Sequence, residues 1–258
     1  MSEFAIISIA TGAKYLNYWK NLVISIKTVD KSLSKVKFYL LTDNPLEAKE
    51  FGTEQNVELQ TFKIESYGWP EATLLRYREI LKIENQISEP VLIYLDSDML
   101  VMRDFISSLE PDHWENSIAL VSHPGFWRPQ GKSGAEFYFK NPKIVLKDLF
   151  TFIRFGSLGS WERNSQSFAY VKRTNRKIYV CGGIWMGKRD NLIELIKYCS
   201  KNVDLDLQNG YVAIWHDESH LNLWSSAHKS TILNPAYCFD PTYKNLNGLR
   251  EIVRAVSK

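Results

Sequence analysis

The sequence predicts an α/β domain built on a mainly parallel central sheet that is flanked by helices. Strand and helix patterns alternate over the first hundred residues, which is typical of parallel sheets. The run Val91-Leu-Ile-Tyr-Leu95 is continuously apolar, as expected of a central strand buried on both faces. A chain of 258 residues is also long enough to bury a large core without disulfides or a structural metal.

The other elements follow from local patterns. An apolar run predicts the first strand at 4–10, and Thr11-Gly12 marks the turn after it. Apolar residues at helical spacing from Tyr15 to Ile26 predict a returning helix. Further patterns predict strands at 36–42 and 57–63 and a helix at 70–87. Because ligands bind at the carboxyl ends of such strands, the residues after Leu95 are well placed for chemistry.

The second half of the sequence is less regular. It predicts strands at 118–122, 178–186 and 231–233, a helix at 190–200 capped by Asp190, and a helix at 215–224. Residues 128–165 lack clear periodicity and predict a long loop with helical pieces. Connections of that length are usually functional or mobile.

Composition limits the classes of function. A net charge of +3 from 32 basic and 29 acidic residues is too balanced for a protein that binds nucleic acid by neutralising phosphates. Eight Trp, thirteen Tyr and thirteen Phe suit flat, amphipathic ligands such as sugars. Three cysteines without a spaced pair indicate a reducing compartment. With neither a signal peptide nor a membrane span in the sequence, we expect a cytoplasmic protein.

Asp96-Ser97-Asp98 follows the central strand directly. Two carboxylates one residue apart can both approach a hard divalent cation, which can in turn neutralise a diphosphate. An Asp-x-Asp pattern is weak by itself, and Asp204-Leu-Asp206 repeats it in what we interpret as solvated surface. Position distinguishes the two, because the first lies at the end of a strand.

Residues 215–222, Trp-His-Asp-Glu-Ser-His-Leu-Asn, are unusually dense in polar groups for a half-buried helix. Buried carboxylates are costly without partners, so Asp217 and Glu218 are expected to face a polar cavity. His216 and His220 lie four residues apart, which leaves zinc binding as a less favoured alternative. The order of residues differs from the zinc-protease motif, because Asp217 follows the first histidine.

Three other features have both a functional and a structural interpretation. His123-Pro-Gly-Phe-Trp127 fits either a sugar-contacting strand end or a turn with core aromatics. Cys181-Gly182-Gly183 within a strand indicates either close approach of a ligand or a simple bulge. Arg76, in the middle of an apolar helix pattern, is expected to have an anionic partner.

Together these motifs resemble glycosyltransferase family 6, the group that includes the histo-blood-group A and B transferases and the α-1,3-galactosyltransferase. The resemblance runs from about residue 9 to residue 240 with the motifs in the family's order. The most specific match is Trp215 to Asn222, which is nearly the family's signature. The other matching segments are 11–15, 39–45, 69–76, 96–105, 123–126, 162–170 and 180–187.

The resemblance implies a single catalytic domain of the GT-A fold over residues 1–258. About 1–105 would form the donor-binding half and about 106–258 the acceptor-binding half with the C-terminal tail. It implies a UDP-sugar donor, a glycan acceptor, retention of configuration and an α-linked product. Because no membrane anchor like that of the animal enzymes is present in the sequence, the chain is similar to a bacterial or phage form.

The resemblance also implies roles for individual residues. Glu218 would be the catalytic group beneath the anomeric carbon, as nucleophile or as stabiliser of positive charge. Asp96 and Asp98 would hold Mn²⁺, or Mg²⁺, against the diphosphate of UDP. The donor would further contact Thr11, Tyr15, Arg76, Ser97, Cys181, Gly182, Gly183, Asp217 and Lys258, and the acceptor would contact His123, Trp127 and Trp215.

Several expectations follow from these assignments. Both aspartates are present, so we expect dependence on a metal. Gly183 leaves room at C2 of the donor sugar, which favours UDP-GalNAc and then UDP-Gal. The stretch 128–161 is longer than the family's usual connection beside the acceptor site. A metal-dependent nucleotide-sugar hydrolase and a non-catalytic sugar-binding module are the alternatives.

Overall fold

The computed structural model describes residues 2–256, and the predicted phosphate contact of Lys258 lies outside that range. Its strands are β1 Phe4–Ala10, β2 Val36–Thr42, β3 Leu59–Lys63, β4 Val91–Leu95, β5 Met99–Val101, β6 Ile118–Ser122, β7 Val180–Lys188, β8 Thr231–Leu233 and β9 Val253–Ala255. Its α-helices are α1 Gly12–Val29, α2 Pro45–Gln55, α3 Glu71–Leu74, α4 Arg76–Leu81, α5 Gly131–Lys140, α6 Pro142–Phe155, α7 Arg189–Gln208 and α8 His216–Ala227.

A seven-stranded sheet in the order β3-β2-β1-β4-β7-β6-β8 runs through the centre of the molecule. Strand β7 is antiparallel to both of its neighbours, β4 and β6, whereas the other pairings are parallel. Strands β5 and β9 form a separate antiparallel pair. The predicted α/β class with a mainly parallel central sheet is therefore confirmed.

Alternate residues of the central strands pack against opposite layers of helices. Phe4 and Ile6 of β1 belong to a core cluster that includes the buried face of α1. Ala5 and Ile7 belong to a second cluster with α4, α7 and α8. Because both faces of β1 and β4 are covered, these strands are apolar at consecutive positions rather than at alternate ones.

The first two strands are linked at their carboxyl ends by a helix cap. The backbone N–H of Gly12, at the start of α1, donates to both carboxylate oxygens of Asp43 at 3.0 Å. A carboxylate stabilises the N-terminus of a helix, where backbone N–H groups lack partners. This contact fixes the turn after β1 beside the end of β2.

Two predicted segments differ from the structure. The helix expected at 70–87 is two short helices, α3 and α4, which are separated at Leu75. Residues 128–165, expected as a loop with helical pieces, contain the ordered pair α5 and α6. The apolar residues of α6 recur at helical spacing, so the expectation that residues 128–165 lack clear periodicity was wrong there.

Two polar assignments on α7 were wrong. Lys188, not Asp190, is the N-cap residue, and Asp190 lies in the first turn. Asp206, interpreted as solvated, is only 1% exposed. Its carboxylate accepts hydrogen bonds from the Ser167 hydroxyl at 2.7 Å and the Phe168 backbone N–H at 2.6 Å. The helix continues to Gln208, and this extension turns Asp206 toward the protein.

The three cysteines are unpaired, as expected. Within residues 2–256, no helix combines the length and the apolar character that crossing a bilayer requires.

Candidate functional site

Two adjoining cavities open at the carboxyl ends of β1 and β4. The cavity that we call the Asp98 cavity has a volume of about 230 Å³, and the Glu218 cavity has about 430 Å³. They share Thr73, Arg76 and Asp96 in their linings. A ligand with two chemically different parts could therefore occupy both cavities, with Arg76 and Asp96 at the junction.

The acidic segment after β4 forms one wall of the Asp98 cavity. Asp96, Ser97 and Asp98 all line it, together with the predicted donor contacts Thr11 and Tyr15. The Tyr94 hydroxyl donates to Asp96 Oδ1 at 2.8 Å, which orients that carboxylate at the end of the strand. The structure therefore brings these predicted residues to one cavity.

Arg76, the first residue of α4, is the positive centre of the site. It is 5% exposed, and its guanidinium lies 3.1 Å from Asp96 Oδ1 and 3.3 Å from Asp217 Oδ2. Its Nη1 also donates to the carbonyl of Gly182 at 3.0 Å. Burial alone would lower the pKa of Arg76, but Asp217 and Asp96 outweigh that effect and raise the pKa well above its usual value. The anionic partner expected for Arg76 is thus a pair of carboxylates.

Asp217 and Glu218, in the first turn of α8, line the Glu218 cavity. Burial raises the pKa of Asp217 to about 7, although Arg76 opposes the shift. Burial likewise raises the pKa of Glu218 to about 7, against the lowering effects of the Gly182 N–H and the Tyr179 hydroxyl. A nearby carboxylate adds to each shift. Asp96 raises the pKa of Asp217, and Asp217 raises the pKa of Glu218. The prediction that both face a polar cavity is confirmed.

Gly182 and Gly183 allow β7 to approach these acidic groups. A Cβ at Gly182 would lie 3.1 Å from Asp217 Oδ2 and 3.2 Å from Glu218 Cβ. A Cβ at Gly183 would lie 2.7 Å from Met99 Cε and 3.0 Å from Asp96 Oδ2. The glycines therefore permit close approach, as their sequence context indicated.

His123 lines the Glu218 cavity among aromatic rings. The centroids of Phe126, Tyr179 and Tyr243 lie 5.0, 5.8 and 6.5 Å from that of its imidazole. The Gly125 N–H donates to Nδ1 at 3.0 Å, so the ring proton is assigned to Nε2. Burial lowers the pKa of His123 to about 4, so the ring is neutral near pH 7. His123 can therefore donate a hydrogen bond to a ligand oxygen.

The structure separates the remaining candidates. Trp215 lines the Glu218 cavity and is 49% exposed. Phe126, rather than its neighbour Trp127, is in the lining, while the carbonyl of Trp127 accepts a hydrogen bond from Asn245. Cys181 packs in the hydrophobic core beside Cys238 instead of lining either cavity. Trp127 and Cys181 therefore contribute to the fold next to the site, and the ligand contacts predicted for these two residues stay predictions.

The histidines of α8 do not form a shared zinc site. His220 is fully buried 3.5 Å from Asp206, whereas His216 lines the Glu218 cavity and packs edge-on against Trp69. Residues 2–256 contain no group of three or more His, Cys, Asp or Glu side chains arranged for a metal. Asp96 and Asp98 nevertheless line one cavity and offer hard oxygen ligands. This donor set fits a hard divalent cation.

Sequence reasoning missed Thr73, Ser160 and Tyr243, all of which line the Glu218 cavity. No local motif distinguishes them, because each reaches the cavity from a separate loop or short helix. Tyr243 packs over Gly125, where a Cβ would lie 3.1 Å from its ring. Only the tertiary fold brings it beside His123.

Comparisons with known proteins relate the chain to one family of enzymes. A model described as "Glycosyltransferase family 6" matches residues 154–258, which include Gly182, Asp217 and Glu218. The match covers 105 of the 258 residues, so the chain is similar to this family over its C-terminal part. The resemblance predicted from its motifs is confirmed, and the α/β architecture described above is the expected GT-A fold of this family.

Several known proteins match the chain over most of its length. "Histo-blood group ABO system transferase 1" of Rattus norvegicus is 29% identical over 215 residues, 80% of this chain and 52% of that protein. "Globoside alpha-1,3-N-acetylgalactosaminyltransferase 1" of Gallus gallus is 28% identical over 211 residues, 80% of this chain and 53% of that protein. "O-antigen biosynthesis glycosyltransferase WbnI" of Escherichia coli is 25% identical over 219 residues, 84% and 80% respectively. The chain spans about half the length of the two animal relatives.

Proposed function

We propose that this chain is a metal-dependent retaining glycosyltransferase. It would move a hexose or an N-acetylhexosamine, GalNAc before Gal, from a UDP-sugar to a glycan hydroxyl and form an α-linkage. The observation that carries this proposal is the junction of the two cavities. There Arg76 pairs with Asp96 and with Asp217. Asp98 lies two residues after the first of these carboxylates, and Glu218 directly follows the second.

The Asp98 cavity would hold the nucleotide. Tyr15, 36% exposed in its lining, offers an aromatic face for uracil, and Thr11 and Ser97 offer hydroxyls. Asp96 and Asp98 would hold Mn²⁺ or Mg²⁺, which would neutralise charge on the diphosphate leaving group. Arg76 and Asp217, at the junction, would then hydrogen-bond the donor sugar and orient it toward Glu218.

The Glu218 cavity would hold the reacting sugar and the acceptor. A carboxylate on the face opposite the leaving group can stabilise positive charge at the anomeric carbon, as retention of configuration requires. The Gly182 N–H donates to Glu218 Oε2 at 2.8 Å and holds the carboxylate in place. His123 Nε2–H would donate to an acceptor oxygen, while Trp215 would provide an apolar surface for a sugar ring.

The two halves of the chain would divide this work. Residues up to about 105 would supply most nucleotide contacts, and residues from about 106 would supply the acceptor contacts and the catalytic carboxylate. Both strands that meet at the junction, β4 and β7, are neighbours in one sheet, which supports a single catalytic unit. The three unpaired cysteines support action in a reducing compartment, which we propose is the cytoplasm.

The proposal is tested by UDP release from a panel of UDP-sugars, without acceptor, in Mn²⁺ or in EDTA. Slow transfer to water should release UDP from one sugar, and both EDTA and Asp98→Asn should abolish that release. Asp112→Asn is the matched control, because that side chain is 89% exposed and pairs with Lys188 on the surface. Undiminished release in EDTA would contradict the assigned metal role, and the absence of release from every UDP-sugar would contradict the donor class.

Addition of oligosaccharide acceptors separates transfer from the hydrolase alternative. A transferase should release UDP faster with the correct acceptor and yield a longer glycan. A hydrolase should yield free sugar at an unchanged rate, whichever oligosaccharide is present.

A further inference from the structure

Helix α6 exposes apolar side chains where a surface helix normally exposes polar ones. Leu146, Leu149, Phe150, Phe152 and Ile153 are between 55% and 70% exposed, whereas Asp148 is 8% exposed. Asp148 faces the protein and forms a two-pronged ion pair with Arg128, at 2.6 and 2.8 Å. The polarity of the helix is thus inverted, because the Asp148 carboxylate faces the protein and the apolar side chains face the solvent.

The exposed apolar residues occupy one side of the helix. At about 100° per residue, Phe152, Val145, Leu149, Ile153, Leu146 and Phe150 fall in this order within an arc of about 160°. Phe139, at the end of α5, adds a further ring that is 88% exposed. Contiguous apolar surface of this kind marks an interaction site.

A basic stripe lies along one edge of that arc. By the same helical spacing, Lys143, Arg154 and Lys147 fall within about 40° of one another, next to Phe150. All three side chains are exposed. Residues 131–155 carry five basic and two acidic side chains, and one of the two acidic groups is the buried Asp148.

We propose that α6, together with Phe139, docks on the surface of a lipid bilayer that carries anionic headgroups. A broad apolar arc bordered by lysine and arginine is the pattern of helices that lie in the plane of a membrane interface. The apolar side chains would enter the boundary of the acyl chains, and the basic stripe would contact lipid phosphates. A second copy of the chain fits this face less well, because two such segments would bring like charges together.

Docking through α6 would place the Glu218 cavity near the membrane. Helices α5 and α6 lie between Phe126 and Ser160 in the sequence. Phe126 and Ser160 both line the Glu218 cavity. Ser160 follows Phe155 by five steps along the backbone, which limits the span between them to about 17 Å. The Arg128–Asp148 ion pair further holds α6 against the segment that follows His123.

Flotation of the full chain with vesicles tests the proposal without any substrate. The protein is expected to float with vesicles of phosphatidylcholine and phosphatidylglycerol, and more weakly with phosphatidylcholine alone. The double variant Leu149→Ser with Ile153→Ser should lower the partition coefficient at least about tenfold. Lys147→Gln with Arg154→Gln should lower it about tenfold on anionic vesicles only.

The matched control is Leu46→Ser with Lys49→Gln on α2, where Leu46 is 68% exposed. This variant should float like the original protein, and circular dichroism should show every variant folded. Failure of the original protein to float with anionic vesicles would overturn the proposal, as would equal flotation of the α6 variants. A dimer in sedimentation velocity that the Leu149→Ser, Ile153→Ser variant dissociates, without vesicle binding, would assign the face to a second copy instead.

Discussion

The backbone N–H of Gly182 lies 2.8 Å from Glu218 Oε2 and donates a hydrogen bond to it. The contact joins β7 to the first turn of α8 and is possible because Gly182 has no Cβ to contact Asp217. Its carbonyl meanwhile accepts from Arg76 at 3.0 Å. One peptide segment thus positions the carboxylate and the guanidinium at the junction of the two cavities.

Glu218→Gln should reduce UDP release by about 10²- to 10³-fold, because the amide keeps the shape of the side chain but cannot carry negative charge. The donor Kd should change little. Stopped assays for UDP together with calorimetric titration of the UDP-sugar measure both quantities. Glu162→Gln is a control for general disturbance, since Glu162 accepts backbone hydrogen bonds in a neighbouring loop. An active Glu218→Gln variant would remove this carboxylate from the chemistry.

The same substitution should change stability with pH. The folded-state pKa of Glu218 is raised to about 7 from 4.5, so the folded state holds more protons than the unfolded state between these values. Stability of the original protein therefore falls as pH rises through this window. Above about pH 8, Glu218→Gln should be more stable by on the order of 3 kcal/mol, and the gain should vanish below about pH 5. Urea unfolding at both pH values measures the difference, and a gain independent of pH would contradict the raised pKa.

Tyr179→Phe should move the pH profile of activity. The role proposed for Glu218 requires its charged form, so UDP release should rise with pH through about 7. The Tyr179 hydroxyl lowers the pKa of Glu218, and its removal should shift the rising limb to higher pH. At high pH the two proteins should have similar rates. A uniform loss at every pH would indicate a structural defect in place of this positioning role.

Gly183→Ala should weaken donor binding. The new Cβ would meet Met99 Cε at 2.7 Å and Asp96 Oδ2 at 3.0 Å, and displacement of Asp96 would disturb its ion pair with Arg76. We expect KM for the UDP-sugar to rise about tenfold or more. Gly68→Ala is the matched control, because nothing lies within 4 Å of its Cβ position. Equal effects of the two substitutions would refute this explanation.

Much of the site was predictable because its chemistry coincides with local sequence signals. Asp96 and Asp98 follow a continuous apolar strand, and a parallel sheet places such residues at the ligand-binding edge. Glu218 lies in a polar segment on an otherwise half-buried helix. Arg76 stood out because a guanidinium among apolar residues requires an anionic partner.

The rest depends on contacts distant in sequence. Trp127 and Phe126 are adjacent in one turn, and only the packing of Tyr243 over Gly125 shows which ring faces the cavity. In the sequence Asp206 resembles a surface residue. Only the fold shows that Ser167 and Phe168, far away in sequence, donate hydrogen bonds to its carboxylate. Helix α6 was missed for a different reason: its apolar residues do recur at helical spacing, so the expectation that residues 128–165 lack periodicity was wrong.

The configuration of the sugar first released from a UDP-sugar without acceptor tests the role of Glu218 most directly. Proton NMR at early times distinguishes the two anomers before they interconvert. Because Glu218 is assigned to the face opposite the leaving group, we expect the α-anomer of the donor sugar to appear first. A first-formed β-anomer would mean direct inversion by water and would contradict the role assigned to Glu218.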